Sequence, residues 1–272
     1  MNQLTRRIAC LVLAAVAAAG LHASVAGAQS VSDLTVSLSA DGAPQERFAE
    51  ATRTIWVRFT YNDASFTTIE VTMASPAGVL MFARESEFSG TGTQEWEVTG
   101  DEVARGLAGR AAEAAVTAQD SARRAATQQH GVAEYLATTT YAVSQLSSTA
   151  GLLGQLPLDA QTRESVTDTT DAAREIQVLL SAAQSLPPGD IAGKQEYARQ
   201  IAAPAGRAVT ASGQLESAVL KAEGLPMPPT RSSTADRDAH TVSARVNGSA
   251  AKSLSIWFFD GKIYLPAVRA AR

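Results

Sequence analysis

The chain has 272 residues, 45% of them hydrophobic, with 23 basic against 27 acidic side chains and a net charge of −4. It carries no Lys/Arg tract of the kind phosphate recognition needs, so nucleic acid is not an expected partner. One cysteine and three histidines leave little material for thiol, metal or acid–base chemistry.

In chain order, the first element is a signal peptide over residues 1–28. Arg6 and Arg7 precede an Ala/Leu/Val run over 8–19, and Ala26-Gly27-Ala28 supplies a small-x-small cleavage site. The mature chain then starts at Gln29, and losing the two arginines takes its net charge to about −6. Cys10 lies inside the apolar run, away from the cleavage site where lipid attachment would need it. The mature chain therefore has no thiol and no disulfide. No later stretch approaches the ~20 apolar residues of a membrane span. A secreted protein, extracellular or periplasmic, is expected.

Residues 29–100 read as β. Ile55, Val57, Phe59 and Tyr61 alternate with Thr54, Trp56, Arg58 and Thr60, the period of a half-buried antiparallel strand. Leu34, Val36 and Leu38 alternate likewise, as do Ile69, Val71 and Met73, and Gln94, Trp96 and Val98. The run 79–82 follows a turn at Ser75-Pro76-Ala77-Gly78, and Gly90-Thr91-Gly92 marks another reversal. Five short strands with regular turns predict a small antiparallel β-sandwich. In strand count and alternation this zone resembles the Ig-like or fibronectin-like sandwiches of bacterial secreted and surface proteins, without their Cys–Trp–Cys framework.

Composition changes at Gly100-Asp101. Residues 101–224 are rich in alanine and nearly free of aromatics, and read as an antiparallel helical bundle or coiled coil. Helices are expected over 102–153, 160–185 and 191–222, with Asp101, Asp159 and Asp190 as N-caps and a kink at Pro204. Gln128-Gln129-His130-Gly131 could divide the first helix and give four helices of similar length. No capping residue follows Gly131, and one internal glycine costs only ~1 kcal/mol. A continuous helix, on the order of 75 Å long, is therefore the expectation.

Residues 225–240, opening with Leu225-Pro226-Met227-Pro228-Pro229, read as a Pro-rich then polar linker. In 241–272 Val242, Ala244 and Val246 alternate, then Leu254, Ile256 and Phe258, and Asp260-Gly261 is a hairpin turn leading to Ile263 and Leu265. So few strands are marginal alone and should dock on the N-terminal sandwich, making the helical zone an insertion. The tail from Ile263 to Arg269 is similar to short C-terminal ends on some exported bacterial proteins. The fold class expected is α+β.

Of the mature chain's histidines, His130 reads as a helix-surface residue and His240 as part of a solvated loop. Asp236, Asp238 and His240 alternate but lack the converging ligands of a metal site. Ser249-Ala250-Ala251-Lys252 has Ser-x-x-Lys spacing without partner motifs. Asn247-Gly248-Ser249 is a glycosylation sequon, meaningful only in a eukaryotic secretory pathway. Glu95 and Glu97 read as a solvated edge. No catalytic residue, metal or cofactor is assigned. The binding residues expected are Trp56 and Trp257, both alternating away from apolar neighbours onto an outer face, where flat rings supply contact area at low entropic cost. The sequence reading is a non-enzymatic structural or interaction protein, acting as spacer, adhesion element or assembly component. It would meet a protein or cell-surface polymer and self-associate through its helices. The alternative is an extracytoplasmic small-molecule-binding or sensory module.

Overall fold

The computed structural model describes residues 30–229 and 239–259. The signal peptide, Asp236 and Asp238, and the turn and strand expected at Asp260-Gly261 and beyond lie outside the described residues. The class is α+β, with six strands in one curled sheet and four helices.

The strands are β1 (Ser30–Ser37), β2 (Arg47–Ala49), β3 (Thr54–Ala74), β4 (Leu80–Thr99), β5 (His240–Val246) and β6 (Ser249–Phe259). β3 and β4 form one long antiparallel hairpin closed by the Ser75-Pro76-Ala77-Gly78 turn. The other edge of β3 pairs first with β1 and then with β5. β6 follows β5, and β2 runs parallel to its last residues.

The expectation of five short strands needs correction. The alternations at 54–61 and 69–73 lie on one strand of 21 residues, and the runs at 80–82 and 94–98 on one of 20. Gly90-Thr91-Gly92 is not a reversal but lies inside β4, opposite two bulges in β3 between Tyr61 and Thr67. Asp63, Phe66 and Gly90 take φ of 53°, 48° and 78° there. Extra residues on one strand bend a hairpin without ending it. The bend folds the sheet over its own apolar face, where Ile55, Val57, Phe59, Ile69, Val71 and Met73 are buried. Phe59 meets Phe88 and Trp96 edge-on, at ring separations of 5.7 and 5.2 Å.

The helices are α1 (Gly100–Thr127), α2 (Val132–Leu153), α3 (Ala160–Ser185) and α4 (Ile191–Val219). Asp159 and Asp190 cap α3 and α4 as the sequence implied, accepting from the Thr162 and Gly193 amides at 2.8 and 2.9 Å. The cap of α1 is Thr99 rather than Asp101, its hydroxyl accepting from Glu102 N at 3.1 Å. Strand β4 thus runs into α1 without a loop.

The first helix is not continuous. Gln128 is extended (φ −94°, ψ 141°), and Gly131 is left-handed at φ 75°. This reversal lays the Ala111–Ala125 seam of α1 against Val132, Leu136 and Leu146 of α2 in one apolar cluster. A straight helix would leave both seams in water. The burial gained outweighs the poor local cap at Gly131. Each helix packs on its sequence neighbours and α4 closes on α1, giving an up-down-up-down arrangement. α4 runs through Pro204 without interruption.

At the base of the bundle, Val103, Leu107, Leu153, Leu215 and Val219 join the same core as Ile55 and Phe258. The chain leaves the bundle beside its point of entry. Asp101 accepts from the Gly224 and Leu225 amides at 2.9 and 2.7 Å, and Met227 N bonds Thr52 O at 2.8 Å. A Cβ on Gly100 would lie 2.1 Å from Leu225 O, so only glycine fits there. Leu225 and Met227, read from sequence as the start of a linker, are buried in the core.

Candidate functional site

Trp56 lies on β3 in register between Ser37 of β1 and Glu97 of β4. Its neighbours Ile55 and Val57 point into the core, so its ring lies on the outer face, half-buried. Two residues on, Arg58 donates from Nε to Glu95 and from Nη2 to the Ala40 carbonyl, with Asp41 at 3.6 Å. A guanidinium held by a carboxylate and a carbonyl is fixed in orientation, since its planar fork satisfies several acceptors at once. Glu97 is exposed, whereas Glu95 is tied to Arg58. The outer face at this end of the sheet therefore presents one aromatic edge beside an ordered charge group.

Trp257 differs from its sequence reading. It is 9% exposed and sits in register with Arg47 of β2, and its Nε1 is buried with no hydrogen-bond partner among the described residues. The parallel pairing of β2 and the bond from Trp257 N to Glu46 O bring the 45–49 segment alongside it. The two tryptophans share no strand pairing and form no joint platform.

His240 also departs from its reading as a solvated residue. It is the first residue of β5, an interior strand between β3 and β6, and is 0% exposed. The ring stands edge-on to Phe258 at 5.5 Å, and neither ring nitrogen has a hydrogen-bond partner among the described residues. Burial pushes its pKa down to about 4. The imidazole is thus neutral near pH 7 and closed to solvent. It can store a proton-linked penalty, but it cannot reach a substrate. The signal was available, because His240 is in phase with Val242 and Ala244.

His130 is exposed in the turn between α1 and α2. Ser249 and Lys252 are exposed on strand β6, where the geometry of a helix-start nucleophile is absent. Asn247 and Gly248 form the β5–β6 turn with φ of 49° and 79°. Asn-Gly is the strongest two-residue hairpin signal, and here it acts as a turn. Among the described residues no group of three or more His, Cys, Asp or Glu could hold a metal ion.

Sequence reasoning missed two features. Phe66, at the bend, is 79% exposed on a left-handed backbone. Its bulge breaks the period that would have placed it. A cleft of about 440 Å³ also lies where the Ser75–Val79 turn meets α2, lined by Pro76, Ala77, Ser148, Gly151 and Leu152 and, among the described residues, by no charged side chain. It unites segments some seventy residues apart, a juxtaposition that no local pattern encodes. No protein-family model, curated protein or solved structure matches this chain.

Proposed function

We propose that this is an exported, non-enzymatic interaction protein in which the curled sheet meets the partner and the helical bundle sets reach. The carrying observation is the outer face at Trp56, where a half-buried ring lies beside an arginine fixed by Glu95 and Ala40. Tryptophan and arginine are enriched at binding hot spots; the indole gives large area at little entropic cost, and this arginine is already held in place by Glu95 and Ala40. On this reading the sheet serves as Ig-like sandwiches of exported proteins do. The alanine seams act as a coiled-coil-like spacer, α4 alone being roughly 40 Å long. The partner is a protein or a cell-surface polymer.

A photo-crosslinking residue at position 56, compared with one at the exposed Val178 of α3, tests this in the protein's native extracellular fraction. The expected result is a saturable adduct at position 56 only, competed by the unlabelled chain and not by its Trp56→Ala variant. Equal labelling at both positions, or equal competition by Trp56→Ala, would overturn the assignment.

The junction cleft favours a second reading, a binding module for a neutral small molecule. Among the described residues its lining offers hydroxyls and apolar contact but no ion partner. A thermal-shift screen of neutral ligands that moved the melting temperature of the parent chain, but not of a Gly151→Leu variant filling the cleft, would support it.

A further inference from the structure

Strand β4 pairs with β3 along one edge, and among the described residues nothing pairs with the other. Backbone bonds show which residues face that free edge. Thr68 commits both its N–H and its C=O to Asn247 of the β5–β6 turn. The alternating residues Ile69, Val71 and Met73 must therefore face β4, where they lie opposite Ser86, Arg84 and Phe82. Ala83, Glu85 and Glu87 then direct their N–H and C=O groups away from the sheet. At the far end, Gly100 N bonds Arg53 O, which by the same alternation turns Glu97 outward. The Glu97 carbonyl indeed accepts from Arg84 at 3.2 Å. Arg110 covers the Met81 carbonyl at 3.3 Å. Arginines thus block the edge at both ends and leave the Ala83, Glu85 and Glu87 stretch open, with all three residues exposed.

This stretch is charged in one sense. Glu85 lies directly opposite Glu70 across the ladder, and Glu87 follows on the same face. Like charges in register repel, and Arg245, 3.9 Å from Glu70, offsets this on the β5 side only. Nothing described offsets it on the β4 side. A second copy cannot do so, since two-fold pairing of β4 with β4 would set glutamate against glutamate. Acidic side chains on an edge commonly serve to prevent such self-pairing. The same charges select a strand of opposite sign.

We propose that the free edge of β4 at Ala83, Glu85 and Glu87 accepts an extended segment of a partner protein carrying Lys or Arg at alternate positions. The segment adds a strand to the sheet by main-chain hydrogen bonds, with its cations beside Glu85 and Glu87. This deepens the interaction reading by naming the chemistry of the partner, and it rests on that reading.

The test uses the full chain and a short synthetic peptide alternating lysine with threonine and valine. Two control peptides replace lysine by glutamate, or keep lysine and N-methylate the backbone amides that would face β4. Anisotropy reads affinity, and amide hydrogen exchange reads position. The expected result is saturable binding of the lysine peptide, with exchange slowed at least tenfold at the Ala83, Glu85 and Glu87 amides. The glutamate and N-methylated peptides should bind at least tenfold more weakly. A Glu85→Lys/Glu87→Lys variant with an unchanged melting temperature should reverse the preference between lysine and glutamate peptides. Equal binding of the N-methylated peptide, protection elsewhere, or protection that grows with protein concentration in the absence of peptide would each overturn the proposal. Trp56→Ala should leave peptide binding intact. Loss of the natural adduct at position 56 alongside an intact edge therefore marks failure of the broader reading alone.

Discussion

Phe59, Phe258 and Met73 fill the interior of the sheet, while Ala111, Ala118, Ala173, Ala198 and Ala208 line the distal bundle. Both regions are dry at these residues, each at 2% exposure or less. They reach that state by opposite routes. The sheet leaves space between its folded halves and fills it with aromatic and branched side chains. The bundle brings its helices so close that methyl groups suffice, and Leu146, Ile176 and Ile201 fill the remaining gaps. A core built from large groups is vulnerable to deletion, whereas one built from methyl groups is vulnerable to addition.

The sharpest test of that contrast is Phe59→Ala, which removes a ring contacting Tyr61, Phe88 and Trp96. A loss of about 4 kcal/mol in the urea unfolding free energy is expected. A loss below about 1 kcal/mol would mean that the bend collapses onto the cavity. Next comes acid. His240 has a pKa of about 4 in the folded chain against an ordinary 6.5. As pH falls, the unfolded chain takes up this proton first, so the stability is complete above pH 6.5 and declines between 6.5 and 4. The loss amounts to about 3 kcal/mol. Urea midpoints at pH 7.5 and 4.5 should show this decline in the parent chain and a much smaller one in His240→Leu. Parallel declines would place the proton elsewhere.

In the bundle, Ala118→Leu should cost about 2 kcal/mol through overpacking, although the substitution adds apolar surface. If it stabilises instead, as read by the same urea titration, the helices are not in close contact there. The smallest effect is at the bend. Phe66→Asn should raise stability by about 1 kcal/mol, because asparagine tolerates a left-handed backbone better than a bulky aromatic does. Thermal melting at neutral pH would show it as a small upward shift.

Local signals carried most of the helical zone. Asp159 and Asp190 marked helix starts because a cap is a contact within three residues. The alternation of Ile55, Val57 and Phe59 marked a buried face for the same reason. What escaped was set by tertiary packing. Gly131 turns the chain because the alanine seam of α1 and the Val/Leu seam of α2 require each other, which no window around residue 131 contains. Gly90 bends rather than reverses because its partner strand carries the extra residues. Asp101 looked like a cap, yet it serves amides more than a hundred residues away. His240 and Trp257 were misplaced because their cover comes from β3, β6 and the 45–49 segment. Only Trp56 of the two expected binding residues retains an outward, half-open position.

The meeting of Gly100 and Asp101 with Gly224 and Leu225 has a consequence for the order of folding. β5 must find β3 across the whole helical zone, a long closure for an unstructured chain. Once the helices have assembled and Asp101 has gathered the two ends, the open span reduces to the short stretch between Met227 and His240. That roughly tenfold shortening is worth about 2 kcal/mol of closure entropy. The bundle thus works as a scaffold for completing the sheet. Slowing bundle assembly should delay hydrogen-exchange protection in β5 and β6 while leaving the β3–β4 hairpin on schedule.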